Sequence, residues 1–160
     1  MGQQRCIMFH IVLVEPEIQQ NTGNISRTCA VTGSALHLVR PLGFSVDDRQ
    51  LRRAGLDYWK DLTLFYHDSF EALERDFPNA RFFLSTTHAG KSYAGARFCD
   101  GDFLVFGRET AGLPKALLAR RSADCIRIPM CDGQRSLNLS NAAAIVLYEA
   151  LRQTGFPGMR

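Results

Sequence analysis

The chain opens on an almost unbroken apolar run at residues 6–14, CIMFHIVLV, which predicts a strand buried on both faces. Shorter apolar runs follow at 35–39, 63–66, 81–86, 103–106 and 125–128, most of them bounded by Gly, Pro, Asp or Asn. The stretches between them predict helices. NTGNISR (21–27) opens one that runs to Thr32 and stops at Gly33, with Asn21 or Thr22 as its cap. A short helix is expected at 47–55, another at 68–77 capped by Asp68 or Ser69, one started by Pro114, and a final one at about 140–151. Strand and helix alternate, so the expected class is α/β with a parallel, doubly wound sheet. The 160 residues suffice for one domain with a real core, and no linker, repeat or low-complexity tract divides them.

Composition narrows the function classes. The apolar fraction of 46% and charged fraction of 22% suit a soluble globular chain. No apolar run reaches membrane-spanning length and no leader is evident, so no membrane partner is expected. The five cysteines (6, 29, 99, 125, 131) are odd in number and form no Cys-x-x-Cys pair, which points to reduced thiols in the cytoplasm. The four histidines (10, 37, 67, 88) are scattered along the chain, and no metal is expected. Net charge is only +3, but sixteen arginines stand against three lysines, a composition suited to bidentate phosphate contacts.

Three stretches carry candidate chemistry. At 128–141, IPMCDGQRSLNLSN places Ser136, Asn138, Ser140 and Asn141 within six residues, where a helix cap needs only one such side chain. That excess, just past a strand, predicts a ligand site at the carboxyl edge of the sheet. In NTGNISR, Arg27 lies one turn inside a helix beside apolar neighbours, which capping does not explain. After the fifth strand, Gly107 and Gly112 flank Glu109, a carboxylate that needs a partner if buried, with Arg27 the expected one. Arg49, Arg52 and Arg53, followed by Tyr58, Trp59 and Lys60, read either as a solvated helix face or as a basic and aromatic RNA surface. Gly90-Lys91-Ser92 resembles the tail of a phosphate loop, but the first glycine of that motif is replaced by Ser85. No Gly-x-Gly-x-x-Gly occurs, which disfavours a nucleotide-dependent oxidoreductase.

Taken in order, NTGNISR (21–27), FGRETAGLP (106–114) and IPMCDGQRSLNLSNA (128–142) resemble the SpoU branch of the SPOUT superfamily of RNA methyltransferases. Within it the chain is similar to the small single-domain enzymes that methylate the ribose 2′-oxygen of the tRNA wobble nucleotide, and VEPEIQQNTGNISR and RRAGLDYW extend the likeness to nearly the whole chain. The resemblance implies a parallel-sheet α/β-knot fold with a deep carboxyl-terminal trefoil knot. It implies S-adenosylmethionine as methyl donor, with S-adenosylhomocysteine as product, and a homodimer whose active sites are completed across the interface. The implied substrate is tRNA with a wobble cytidine or 5-modified uridine, leucine tRNAs among them.

The implied cofactor-binding residues are Leu84, Ser85, Thr86, Gly107, Glu109, Ile128, Met130, Ser136, Leu137 and Asn138. Arg27, Asn138, Ser140 and Tyr148 are the implied catalytic residues, and Asn21, Arg27, Arg49, Arg52 and Arg53 the implied substrate contacts. Leu147 and Leu151, one turn apart, are expected at the dimer interface. Two rival readings are a non-catalytic RNA-binding relative and a methyltransferase for another tRNA or ribosomal RNA position.

Overall fold

The computed structural model describes residues 9–45 and 60–160. The helix expected at 47–55, with Arg49, Arg52 and Arg53, lies outside the described residues, as do Tyr58 and Trp59. Six parallel strands form one sheet: β1 (His10–Val14), β2 (Ala35–Val39), β3 (Thr63–His67), β4 (Phe82–Ser85), β5 (Phe103–Phe106) and β6 (Cys125–Ile126), in the order β3-β2-β1-β5-β4-β6. In register, His10 lies opposite Ala35 on one side and Phe103 on the other. Strands β1, β2 and β5 are covered on both faces, as continuous apolar runs in a parallel sheet require.

Alternation of side chains divides the core in two. Ile11, Leu13, Leu36, Leu38, Leu104 and Phe106 pack with Ile25 and Cys29 of α1 (Gln19–Thr32) and with Val146, Leu147 and Leu151 of α4 (Leu139–Gln153). On the other face Val12, Val14, Val39, Phe103 and Val105 meet Phe70 and Leu73 of α2 (Phe70–Asp76) and Leu117 of α3 (Lys115–Arg120). Leu147 and Leu151 are each 0% exposed within their own chain, so they cannot form the expected interface. The 3.6-residue period points them at the sheet and leaves Ile145 and Tyr148 outward.

Local chemistry explains the helix ends. Gly33 takes the left-handed conformation (φ 70°) that ends α1, and its N–H donates to the Cys29 carbonyl. Ser69, not Asp68, caps α2, its hydroxyl accepting from the Ala72 N–H. Neither Asn21 nor Thr22 caps α1. That helix begins two residues earlier, with Ile18 at the cap position and no side-chain bond from it. The sixth strand stops at Ile126, and beyond it Arg127 bridges to Ser92.

Three of the four histidines meet in the fold. His10 Nδ1 lies 2.8 Å from His37 Nε2, and His37 Nδ1 lies 2.9 Å from His67 Nε2, a relay across β1, β2 and β3. Phe65 and Phe103 stack on it, Phe77 meets its edge, and Asp76 stands 3.6 Å from His67 Nδ1. Burial lowers the His10 pKa to about 4 and that of His37 to about 2, so both rings are neutral at physiological pH.

Candidate active site

From β1 the chain proceeds to β2 and β3 on one side, whereas β5, β4 and β6 lie on the other, so the sheet has a switch point between β1 and β5. The segments leaving the carboxyl ends of β1, β4, β5 and β6 converge there. They enclose a cleft of about 780 Å³, within the size range of cofactor sites.

The turn after β5 is folded back on itself. Arg108 N–H donates to the Gly112 carbonyl at 3.1 Å, and Gly112 N–H returns a bond to Arg108 at 2.9 Å. A Cβ on Gly107 would overlap the backbone of Gly112 and Leu113, so only glycine closes this turn. The closure aims Glu109 at the start of α1, where Oε2 accepts from the Glu17 N–H at 2.8 Å and Oε1 from the Ile18 N–H at 3.0 Å. Oε1 also accepts from the Asn21 amide at 3.3 Å. Glu109 therefore supplies from a distant loop the cap that α1 lacks locally, and its negative charge suits the helix amino terminus. Its two oxygens are met by two backbone N–H groups and the Asn21 amide.

Two outer contacts tighten the same junction. Arg108 pairs with Glu15 at 2.9 Å, and Thr110 donates to Glu17 at 2.6 Å. Glu15 itself has φ 54°, a left-handed backbone unusual for glutamate.

The third motif joins this network through Asn138. Its amide donates to Asn21 Oδ1 at 3.2 Å, and its own Oδ1 accepts from the Ser140 and Asn141 N–H groups as the cap of α4. Ser140 Oγ also donates to that oxygen. A continuous line of side chains, Glu109–Asn21–Asn138, thus ties the three motifs together.

Ser85, Thr86, Gly107, Glu109, Asn21, Ile128 and Met130 line the cleft, as do Ser136, Leu137 and Asn138. Leu84 does not: it is 0% exposed in the core behind it. Ser140 sits one hydrogen bond back, on Asn138. Arg27 and Tyr148 are both exposed and neither lines the cleft of its own chain.

The structure adds Ile18, His88, Arg108, Lys115 and Arg135 to the lining. Position just after a buried strand was a signal for Arg108; for Lys115 and Arg135 nothing local distinguished them from surface cations. Neither forms an ion pair among the described residues. Hydroxyls on Thr86 and Ser136, apolar side chains on Ile128, Met130 and Leu137, and two cations suit an amphipathic ligand bearing a carboxylate. S-adenosylmethionine has those parts, and the residues present fit it.

Comparison with known proteins agrees. A tRNA (cytidine(34)-2′-O)-methyltransferase of Polaromonas sp. (strain JS666) is 53% identical over 154 residues, covering 94% of each chain. A solved structure described as giving structural insights into the 2-OH methylation of C/U34 on tRNA is 47% identical, with TM-score 0.86 over 92% of this chain and 96% of its own. An AdoMet-bound rRNA methyltransferase of Sinorhizobium meliloti is 25% identical, with TM-score 0.79 over 91% of this chain and 56% of its own. The segment that carries all three motifs, residues 8–148, matches the model of the SpoU rRNA Methylase family, and the chain belongs to that family.

Proposed function

We propose that the protein transfers a methyl group from S-adenosylmethionine to the ribose 2′-hydroxyl of the wobble cytidine or 5-modified uridine of tRNA, leucine tRNAs among them, acting in the cytoplasm as a homodimer. The observation that carries this reading is the convergence of the three motif loops on one cleft, tied together by Glu109, Asn21 and Asn138. Relatives named for methylation at nucleotide 34 support the choice of substrate. Membership of the family supports the knotted threading that the resemblance implies.

S-adenosylmethionine supplies a methyl group on a positively charged sulfur, already activated for transfer. The residues of the protein then have to hold the ribose oxygen in line and favour loss of its proton. A guanidinium stays protonated in almost any site, so Arg27 acts by gripping a phosphate or the ribose oxygen and stabilising the developing negative charge. Asn138 spends its carbonyl on the α4 cap and one amide hydrogen on Asn21, so it positions the cleft wall. Ser140 secures Asn138 in that role.

Arg27 lies on α1 and Tyr148 on α4, helices packed side by side on one sheet face. Their outward sides carry Val31, 61% exposed, Tyr148, 44%, and Ile145, 36%. An apolar surface of this kind suits a two-fold interface, across which Arg27 and Tyr148 reach the cleft of a second copy. The test is incubation with total tRNA and labelled S-adenosylmethionine, followed by mass spectrometric mapping of the product. Label on the ribose of nucleotide 34 is expected; label in a base, or in no tRNA, overturns the reading. Near-wild-type turnover of Arg27→Lys would overturn the bidentate grip.

A further inference from the structure

A second groove, of about 720 Å³, lies at the β6 edge of the sheet, where Phe82 and Phe83 of β4 run past the two-residue β6. Its lining includes Phe83, Cys125 and Ile126, with the cations Arg81, Lys91, Arg97 and Arg121 against a single carboxylate, Asp124. Two of the four cations are already engaged. Arg81 pairs with Asp102 at 3.2 Å, donates to the Arg97 carbonyl and lies over the Phe83 ring, 5.3 Å from its centroid. Arg121 is held by Glu74 and Asp124 and lies 4.7 Å over Phe82. Lys91 and Arg97 are exposed, and neither forms an ion pair with any described residue.

These two cations sit on a segment that is fixed in place. Arg127 N–H donates to the Lys91 carbonyl and Tyr93 N–H to the Arg127 carbonyl, both at 2.8 Å, extending the sheet edge by a strand-like pairing. At the other end, Gln153 of α4 donates to the Ala96 carbonyl and accepts from the Phe98 N–H, each at 2.9 Å. The same loop faces both sites: Thr86, Thr87 and His88 line the cofactor cleft, while Lys91, Ser92 and Arg97 line the groove. An anchored wall with two uncompensated charges is suited to a polyanion, since little ordering entropy is lost on contact.

We propose that this groove is a second docking surface for the RNA substrate, in which Lys91 and Arg97 contact backbone phosphates away from the methylated nucleotide. The proposal rests on the tRNA methylation reading and adds a site outside its catalytic cleft. These contacts carry no sequence information; they add affinity and set the approach of the RNA.

The experiment is the double charge reversal Lys91→Glu with Arg97→Glu in the full chain, measuring tRNA binding by anisotropy across a salt series. Cofactor affinity is followed by calorimetry and methyl transfer at nucleotide 34 by mass spectrometry. The tRNA Kd is expected to rise about tenfold at moderate salt, and the slope of log K against log salt to lose about 1.5. Cofactor affinity and kcat at saturating tRNA should stay within about twofold of wild type. An unchanged tRNA Kd and salt slope, with wild type active on nucleotide 34, overturns the groove alone. No transfer to nucleotide 34 by wild type overturns the functional reading and the groove with it. If the reversed variant loses its fold, Lys91→Gln with Arg97→Gln is judged by the same criteria, with a slope loss of about 1.5 expected again.

Discussion

Replacing Glu109 with glutamine keeps the shape of the side chain and removes only its charge and one acceptor. The carboxylate accepts at 2.8 Å from Glu17, 3.0 Å from Ile18 and 3.3 Å from Asn21. In Glu109→Gln one oxygen becomes an NH2 group that must face a backbone N–H, so at least one bond turns into a donor–donor contact. A bond to a charged group contributes about 1.5–3 kcal/mol, and a charge at a helix amino terminus about 0.3–1 kcal/mol. The site is half-buried, so the lower end applies: a loss of about 2 kcal/mol, equivalent to roughly 30-fold in the local opening equilibrium. Amide hydrogen exchange reads this directly and does not need reversible global unfolding. Protection of Glu17 and Ile18 should fall about 30-fold while that of the β1 and β2 amides is unchanged. A change under about threefold at those two amides would refute the idea that a carboxylate from the β5 loop starts α1.

Gly107→Ala places a methyl group against the Gly112 and Leu113 backbone, which cannot yield as a flexible side chain would. The 107–112 turn should open, with S-adenosylmethionine affinity by calorimetry falling more than about tenfold and circular dichroism unchanged; retained affinity would contradict the role given to this turn. Acid should destabilise the protein through the histidine relay. Burial lowers His10 to about 4 and His37, beside His10 and His67, to about 2. His67 is also lowered by burial, with Arg40 acting in the same direction and Asp76 opposing it. Free histidine titrates near about 6.5, so below that pH the unfolded chain binds more protons than the folded one. Stability is therefore full above about pH 6.5 and falls toward pH 4 by about 1.4 kcal/mol per pH unit for each ring that stays neutral only when folded. Urea midpoints from pH 7.5 to 5 should show that slope, and His37→Gln should reduce it by about one proton; parallel slopes would refute the assignment.

What the sequence determined by itself were features with a local cause. The strands at 35–39 and 103–106 are found to the residue, because continuous apolar runs with Gly, Asp or Pro beside them admit few alternatives. Gly33 ends its helix as its conformational freedom predicts. Of the small polar side chains at 136–141, Ser136 and Asn138 line the cleft, and Asn138 alone supplies both the α4 cap and the link to Asn21. Only the tertiary structure decided which distant groups meet. Local rules offered Asn21 as the α1 cap, whereas a carboxylate 91 residues beyond Ile18 serves instead and leaves Asn21 free to join Glu109 to Asn138. Leu147 and Leu151 have the spacing of an interface, yet the side of α4 that meets the sheet was set by packing against β5 and α1. The three histidines lie 27 and 30 residues apart, and only parallel pairing of β1, β2 and β3 aligns them. Periodicity and capping act over a few residues, whereas hydrogen-bond partners and buried faces are set by sheet order and register, which close over the whole chain.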